Sequence, residues 1–174
     1  MKEDDYSGNL NSIVDFLGNT WSFKCMGCAI ATRNLEVPGG ILYEGEHVVL
    51  VTDCIIPIPG FLIVQTKRHV HSFAELSNEE RKELGDVMAC AERALKDLGI
   101  TEQVTLVQEE RSKHFHVWVF PIFKWMEQKF GLGVKYLDDI ITYAKNNVTE
   151  ADKEEIVAVA SKVKEYFKNN FLAN

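Results

Sequence analysis

Two groups of residues have types and spacing that suit chemistry. The first is His114-Phe115-His116, which leads into Val117-Trp118-Val119-Phe120-Pro121. A strand over His114–Phe120 sends alternate side chains to opposite faces. His114, His116 and Trp118 then share one side, and Phe115, Val117 and Val119 form the core face. Two imidazoles on the open side of a sheet, braced from behind by apolar residues, make a rigid platform. A neutral imidazole is a nucleophile toward phosphorus, a general base or a metal ligand. The second group is Cys25-Met26-Gly27-Cys28. A Cys-x-x-Cys pair is half a zinc site or a redox pair, and no thioredoxin-like βαβ pattern surrounds it here.

The elements that must hold these residues read as follows. Ile41–Glu44 and Val48–Thr52 are strand-like and separated by Gly45-Glu46-His47, which predicts a hairpin. Phe61–Thr66 is a third strand after Pro57-Ile58-Pro59-Gly60. Ser77 followed by Glu80 has the capping-box pattern, and Leu84, Val87, Met88, Ala91, Leu95 and Leu98 repeat at helical spacing up to Gly99. Val104–Gln108 and His114–Phe120 are two further strands joined by a short polar link. Helical patterns follow near Phe123–Phe130, over Leu137–Ala144 and over Thr149–Phe167, the last capped by Thr149 with Asp152. Ile13, Val14, Phe16 and Leu17 suggest a short docking helix in an otherwise loop-like N-terminus. Trp125, Met126, Phe130, Tyr136, Leu137, Ile140 and Ile141 form an apolar series that reads as core or as a dimer interface. The sum is an α+β fold with about five antiparallel strands, a long helix and a C-terminal helical extension.

The chain has 174 residues, enough for one domain with a real core. The expected division is a single domain over 1–174, with its core near 21–125 and the extension near 126–174. The formal net charge of −7 argues against broad nucleic-acid or anionic-membrane partners, which need clustered Lys and Arg. A small anion needs only a few local donors. The apolar run Val48–Val64 is broken by Asp53, Pro57, Pro59 and Gly60, so it is not a membrane helix. The polar, acidic beginning has no targeting character. A cytoplasmic location is expected, where the four cysteines are reduced or metal-bound. Cys54 and Cys90 have no partner in the pattern, and Cys90 reads as core. His47 and His71 receive no role.

The segment His114–Pro121 resembles the signature of the histidine triad (HIT) family. Tyr43–Asp53 is similar to that family's first hairpin, and Gly60–Val64 with Lys67-Arg68-His69 resembles its third strand and the histidine after it. The resemblance runs from about Cys25 to Pro121. It implies a nucleotide-binding homodimer and a phosphohydrolase that cleaves at the α-phosphate of a dinucleoside polyphosphate or a nucleoside phosphoramidate. His116 would be the nucleophile, with His114 beside it in the catalytic strand. Asp53 would bind ribose hydroxyls, and Trp118 would stand at the third triad position. Arg111, Ser112 and Lys113 precede the strand and can donate to phosphate. The zinc-binding subset of the family implies a structural Cys2His2 site of Cys25, Cys28, His69 and His114. Four departures stand out: Trp118 replaces the third histidine, Phe61 replaces the histidine of the third strand, Thr66 replaces the proline before Lys67, and Gln108–Lys113 replaces the phosphate-holding loop. They open two alternatives: a nucleotidyltransferase or phosphorylase of the same superfamily, or a zinc-stabilised nucleotide-binding module without turnover.

Overall fold

The computed structural model describes residues 10–110 and 113–171. All fourteen expected boundaries at the five strands of the sheet and at the helices Asn78–Asp97 and Glu150–Asn170 fall within three residues of those observed.

The strands are β1 (Asn11–Val14), β2 (Thr20–Phe23), β3 (Tyr43–Glu44), β4 (Val48–Thr52), β5 (Leu62–Thr66), β6 (Gln103–Val107) and β7 (His116–Ile122). The α-helices are α1 (Met26–Ala31), α2 (Asn78–Asp97), α3 (Lys124–Phe130), α4 (Leu137–Asn147) and α5 (Glu150–Asn170). Five strands form one antiparallel sheet in the order β3-β4-β5-β7-β6, and β1 pairs with β2 separately.

Strand alternation divides the core in two. Val48, Leu50, Leu62, Val64, Phe115, Val117 and Val119 pack with α2 and α5 on one face. Val49, Val51, Ile63 and Phe120 pack on the other with Ala29 and Ile30 of α1, Met126 of α3, and Leu137 and Ile140 of α4. The sheet therefore has no open side, contrary to the expectation from the His-x-His strand. The residues after Pro121 fold back over the face that carries His116 and Trp118, because their apolar series needs a surface to bury against. That series is core: Met126, Leu137 and Ile140 are buried, while Trp125 stays partly exposed against Tyr143.

The N-terminal expectation also changes. Residues 11–23 form a hairpin, not a docking helix. Asp15 is the cause: its carboxylate accepts from the amides of Leu17 and Asn19, from Asn19 Nδ2 and from the Trp21 indole. Gly18 takes a positive φ of 92° in the same turn. Burial raises the Asp15 pKa, but these hydrogen bonds outweigh it and hold the carboxyl below its usual range.

β7 starts at His116 and runs through Pro121 to Ile122. β5 pairs with it only as far as Val119, so at Pro121 only β6 is alongside and the missing N–H costs no ladder bond on the other side. His114 lies just before the regular ladder, where the Phe115 amide donates to the Val70 carbonyl at 2.7 Å.

Both expected capping boxes form. Ser77 Oγ accepts from the Glu80 amide while Glu80 returns to the Ser77 amide, and Thr149 does the same with Asp152. Glu80 also takes a two-point ion pair from Arg68, at 2.9 and 2.8 Å. The segment leading to His69 is thereby tied to the start of α2.

Candidate functional site

Four ligand-type side chains converge where α1, the end of β5 and the approach to β7 meet. Cys25 caps α1, its Sγ accepting from the Cys28 amide, and Cys28 sits within the first turn. Cys25 Sγ lies 3.5 Å from His69 Nδ1 and 3.4 Å from His114 Nδ1. Cys28 Sγ lies 3.4 and 3.6 Å from the same two nitrogens. The two Nδ1 atoms are 3.2 Å apart. Metal–sulfur bonds of about 2.3 Å and metal–nitrogen bonds of about 2.0–2.1 Å around zinc give tetrahedral S···N edges of about 3.5 Å and N···N edges of about 3.3 Å. The donor set therefore fits a tetrahedral ion of that size, and all four ligand atoms lie within 4.8 Å of one another.

The surroundings orient these ligands. His114 Nε2–H donates to the Thr66 carbonyl at 2.8 Å, which leaves Nδ1 as the lone-pair nitrogen facing the cluster. Burial pushes the His114 pKa down, against the opposing pull of that carbonyl, and keeps the ring neutral. His69 Nε2 is 3.2 Å from His71 Nε2, so His71 touches a cluster residue although the sequence assigned it nothing. Gly27 is equally silent in the sequence: a Cβ there would stand 2.4 Å from His114 Cγ. Buried Gln65 donates to the Gly27 carbonyl at 2.8 Å and so clamps α1 onto β5. Only long-range contacts reveal these two.

His116 is half-buried on the face covered by α1, α3 and α4. Its Nδ1–H donates to the His114 carbonyl at 3.0 Å, which puts the lone pair on Nε2. The Trp118 indole N–H donates to that Nε2 at 3.0 Å. Trp118 in turn meets the edge of Phe61, ring centroids 5.3 Å apart and planes at 79°.

Asp53 ends β4. Its Oδ1 accepts from the amides of Ile55 and Ile56, both at 2.6 Å, and so shapes the turn. Burial raises its pKa; the two amides, Lys145 of α4 and His116 oppose that rise. Lys145 is thus an electrostatic neighbour of Asp53 that the sequence gave no reason to single out. Lys113 is exposed before β7; Arg111 and Ser112 lie outside the described residues. Cys54 and Cys90 are buried free thiols, and burial beside Asp53 pushes the Cys54 pKa up to about 12. Among the described residues, no helix is long and apolar enough to cross a membrane.

The fold and the site define a class by shape: a mixed α+β chain with a five-stranded antiparallel sheet, matching solved HIT-like structures. A hypothetical histidine triad nucleotide-binding protein from Sulfolobus tokodaii is 18% identical, with 83% of this chain and 93% of that one covered and a TM-score of 0.60. A HIT-like protein from Bartonella henselae described as involved in cell-cycle regulation is 17% identical, covering 79% and 92%, with a TM-score of 0.57. A zinc-bound histidine triad family protein from Mycobacterium smegmatis is 16% identical, covering 81% and 96%, with a TM-score of 0.56. No protein-family description and no curated protein matches the sequence.

Proposed function

We propose that this chain is a histidine triad-type nucleotide-binding phosphohydrolase with a structural zinc. The observation that carries the reading is the orientation of His116: Nδ1–H is committed to a backbone carbonyl, so Nε2 presents its lone pair. Nε2 attacks the α-phosphorus of a dinucleoside polyphosphate or nucleoside phosphoramidate. An N–P bond forms, the bond from phosphorus to the leaving group breaks, and the leaving group departs with the electron pair. Water then attacks phosphorus, breaks the N–P bond and releases a nucleoside monophosphate. Asp53 binds ribose hydroxyls, and Trp118 with Arg111 and Ser112 contacts phosphate. Cys25, Cys28, His69 and His114 hold zinc, which fixes the approach to β7 and hence the placement of His116. A homodimer and a cytoplasmic location belong to the same reading.

The hydrogen bond from Trp118 to Nε2 favours a second reading, a nucleotide-binding module without turnover. Intact-protein mass spectrometry after brief incubation with a dinucleoside tetraphosphate or an adenosine phosphoramidate decides between them. A nucleotidyl adduct, or monophosphate released by the unmutated chain and not by His116→Ala, is the result expected for the enzyme. Nucleotide binding without adduct or release selects the module. Product formed only when a phosphate acceptor is present selects a transferase or phosphorylase.

A further inference from the structure

The nitrogen that the proposed chemistry needs is already engaged. Trp118 Nε1–H points at His116 Nε2 from 3.0 Å, and His116 cannot turn its other nitrogen forward while Nδ1–H is held by the His114 carbonyl. The indole is itself braced. Phe61, 1% exposed, presents its edge to Trp118 and packs at 4.9 Å on Phe120. Ile63 lies directly opposite Trp118 on β5. Phe61 and Trp118 are two of the four departures from the histidine triad pattern, and they are in contact.

We propose that Trp118 is a positioning residue that gates His116, and that an oxyanion opens the gate. This rests on the reading of His116 as nucleophile. A phosphate oxygen brought beside the indole competes with Nε2 for the single N–H. Hydrogen bonds to an ionised acceptor are roughly twice as strong as neutral ones, so the oxyanion takes the N–H. The same exchange frees the Nε2 lone pair and places the phosphorus next to it. The site then answers to phosphate esters and anhydrides and not to neutral nucleosides.

Two measurements test this. The first is the reaction of His116 with diethyl pyrocarbonate, in which Nε2 attacks a carbonyl carbon and expels ethyl carbonate. Peptide mass spectrometry reads the rate at His116 relative to His47 in the same chain. Trp118→Phe removes the N–H and is expected to raise this ratio about tenfold, the factor one ordinary hydrogen bond withholds. Trp118→Gln restores a donor on a smaller side chain and is expected to react more slowly than Trp118→Phe. Plain steric shielding requires the reverse order, and that order or an unchanged ratio overturns the gate. The second is the indole N–H resonance of Trp118 in ¹⁵N-labelled protein, assigned by its loss in Trp118→Phe. It is expected to move with adenosine monophosphate or inorganic phosphate and to stay with adenosine. Silence toward both anions overturns opening by an oxyanion. Neither measurement needs turnover, so a chain that forms no nucleotide adduct still reports on the gate.

Discussion

His114 and His116 are two residues apart, yet they belong to different kinds of structure. Around His114 everything converges: two thiols and a second imidazole stand at tetrahedral distances, a carbonyl fixes the tautomer and a glycine makes room for the ring. Around His116 the backbone fixes the ring in the same way, but Nε2 meets an indole. The first centre brings four ligand-type side chains together, whereas the second sets an imidazole against an indole N–H that another acceptor can take. Structural roles demand the first arrangement, and a group that must act on a ligand tolerates the second.

Metal removal is the strongest way to break this contrast. Chelation, or Cys28→Ser, is expected to lower stability by on the order of several kcal/mol, because ligand binding free energy is folding free energy at such a site. The thermal midpoint should fall by about 10 °C or more for a chain of this size. Elemental analysis should give one zinc per unmutated chain and none in the variant. A midpoint indifferent to chelator would remove the structural role of the cluster.

Gly27→Ala comes next. The added Cβ meets a ring that is held by Thr66 and by the cluster, so the ring cannot step aside. A loss of about 1–3 kcal/mol is expected in urea unfolding, together with weaker zinc binding. Equal zinc affinity in the variant would show that the helix shifts freely and that the clamp from Gln65 is slack.

How much of this was legible in the sequence depends on the range of the interactions. The caps at Ser77 and Thr149 are signals spanning four residues, and both formed as read. The strands of the sheet were legible as short, largely apolar runs bounded by turn residues, with alternation read only in the His-x-His strand. The N-terminal hairpin was not, since Ile13, Val14, Phe16 and Leu17 fit either period and the deciding bonds all run to one aspartate. The covered second face was missed because the His-x-His strand reads amphipathic only if Phe120 and Trp118 are taken as exposed. The four residues of the Cys25, Cys28, His69 and His114 cluster were named through resemblance. Gln65, Gly27 and the bond from Trp118 to His116 depend on contacts that sequence spacing does not encode.

The ion pair between Arg68 and Glu80 sharpens the comparison from a distance, since it anchors the segment that delivers His69. The Arg68 hydrogen bonds hold the Glu80 carboxyl below its usual range, with help from the Ser77 amide. A depressed carboxyl contributes stability that is complete above its unfolded value of 4.5 and is lost as pH falls below that through the folded value. Glu80→Gln keeps the shape of the cap and loses the charge, so about 1 kcal/mol is expected at pH 7, given the exposure of Arg68. The difference in urea midpoint between variant and parent should shrink at pH 3. A constant difference across that range would assign the effect to packing instead of charge.

The smallest structural effect is expected at His116 itself. His116→Gln leaves the Cys25, Cys28, His69 and His114 cluster intact, and the hydrogen bonds of the ring to a backbone carbonyl and from an indole are ones that glutamine can also meet. Stability should change by no more than about 0.5–1 kcal/mol, and zinc content should stay at one per chain. A substitution two residues earlier, His114→Gln, should by contrast release the metal and lower stability as chelation does. If His116→Gln instead loses zinc or unfolds, then the two centres are one cooperative unit. The placement of His116 would then be a condition of the fold, and its role as an exchangeable, ligand-facing group would have to be abandoned.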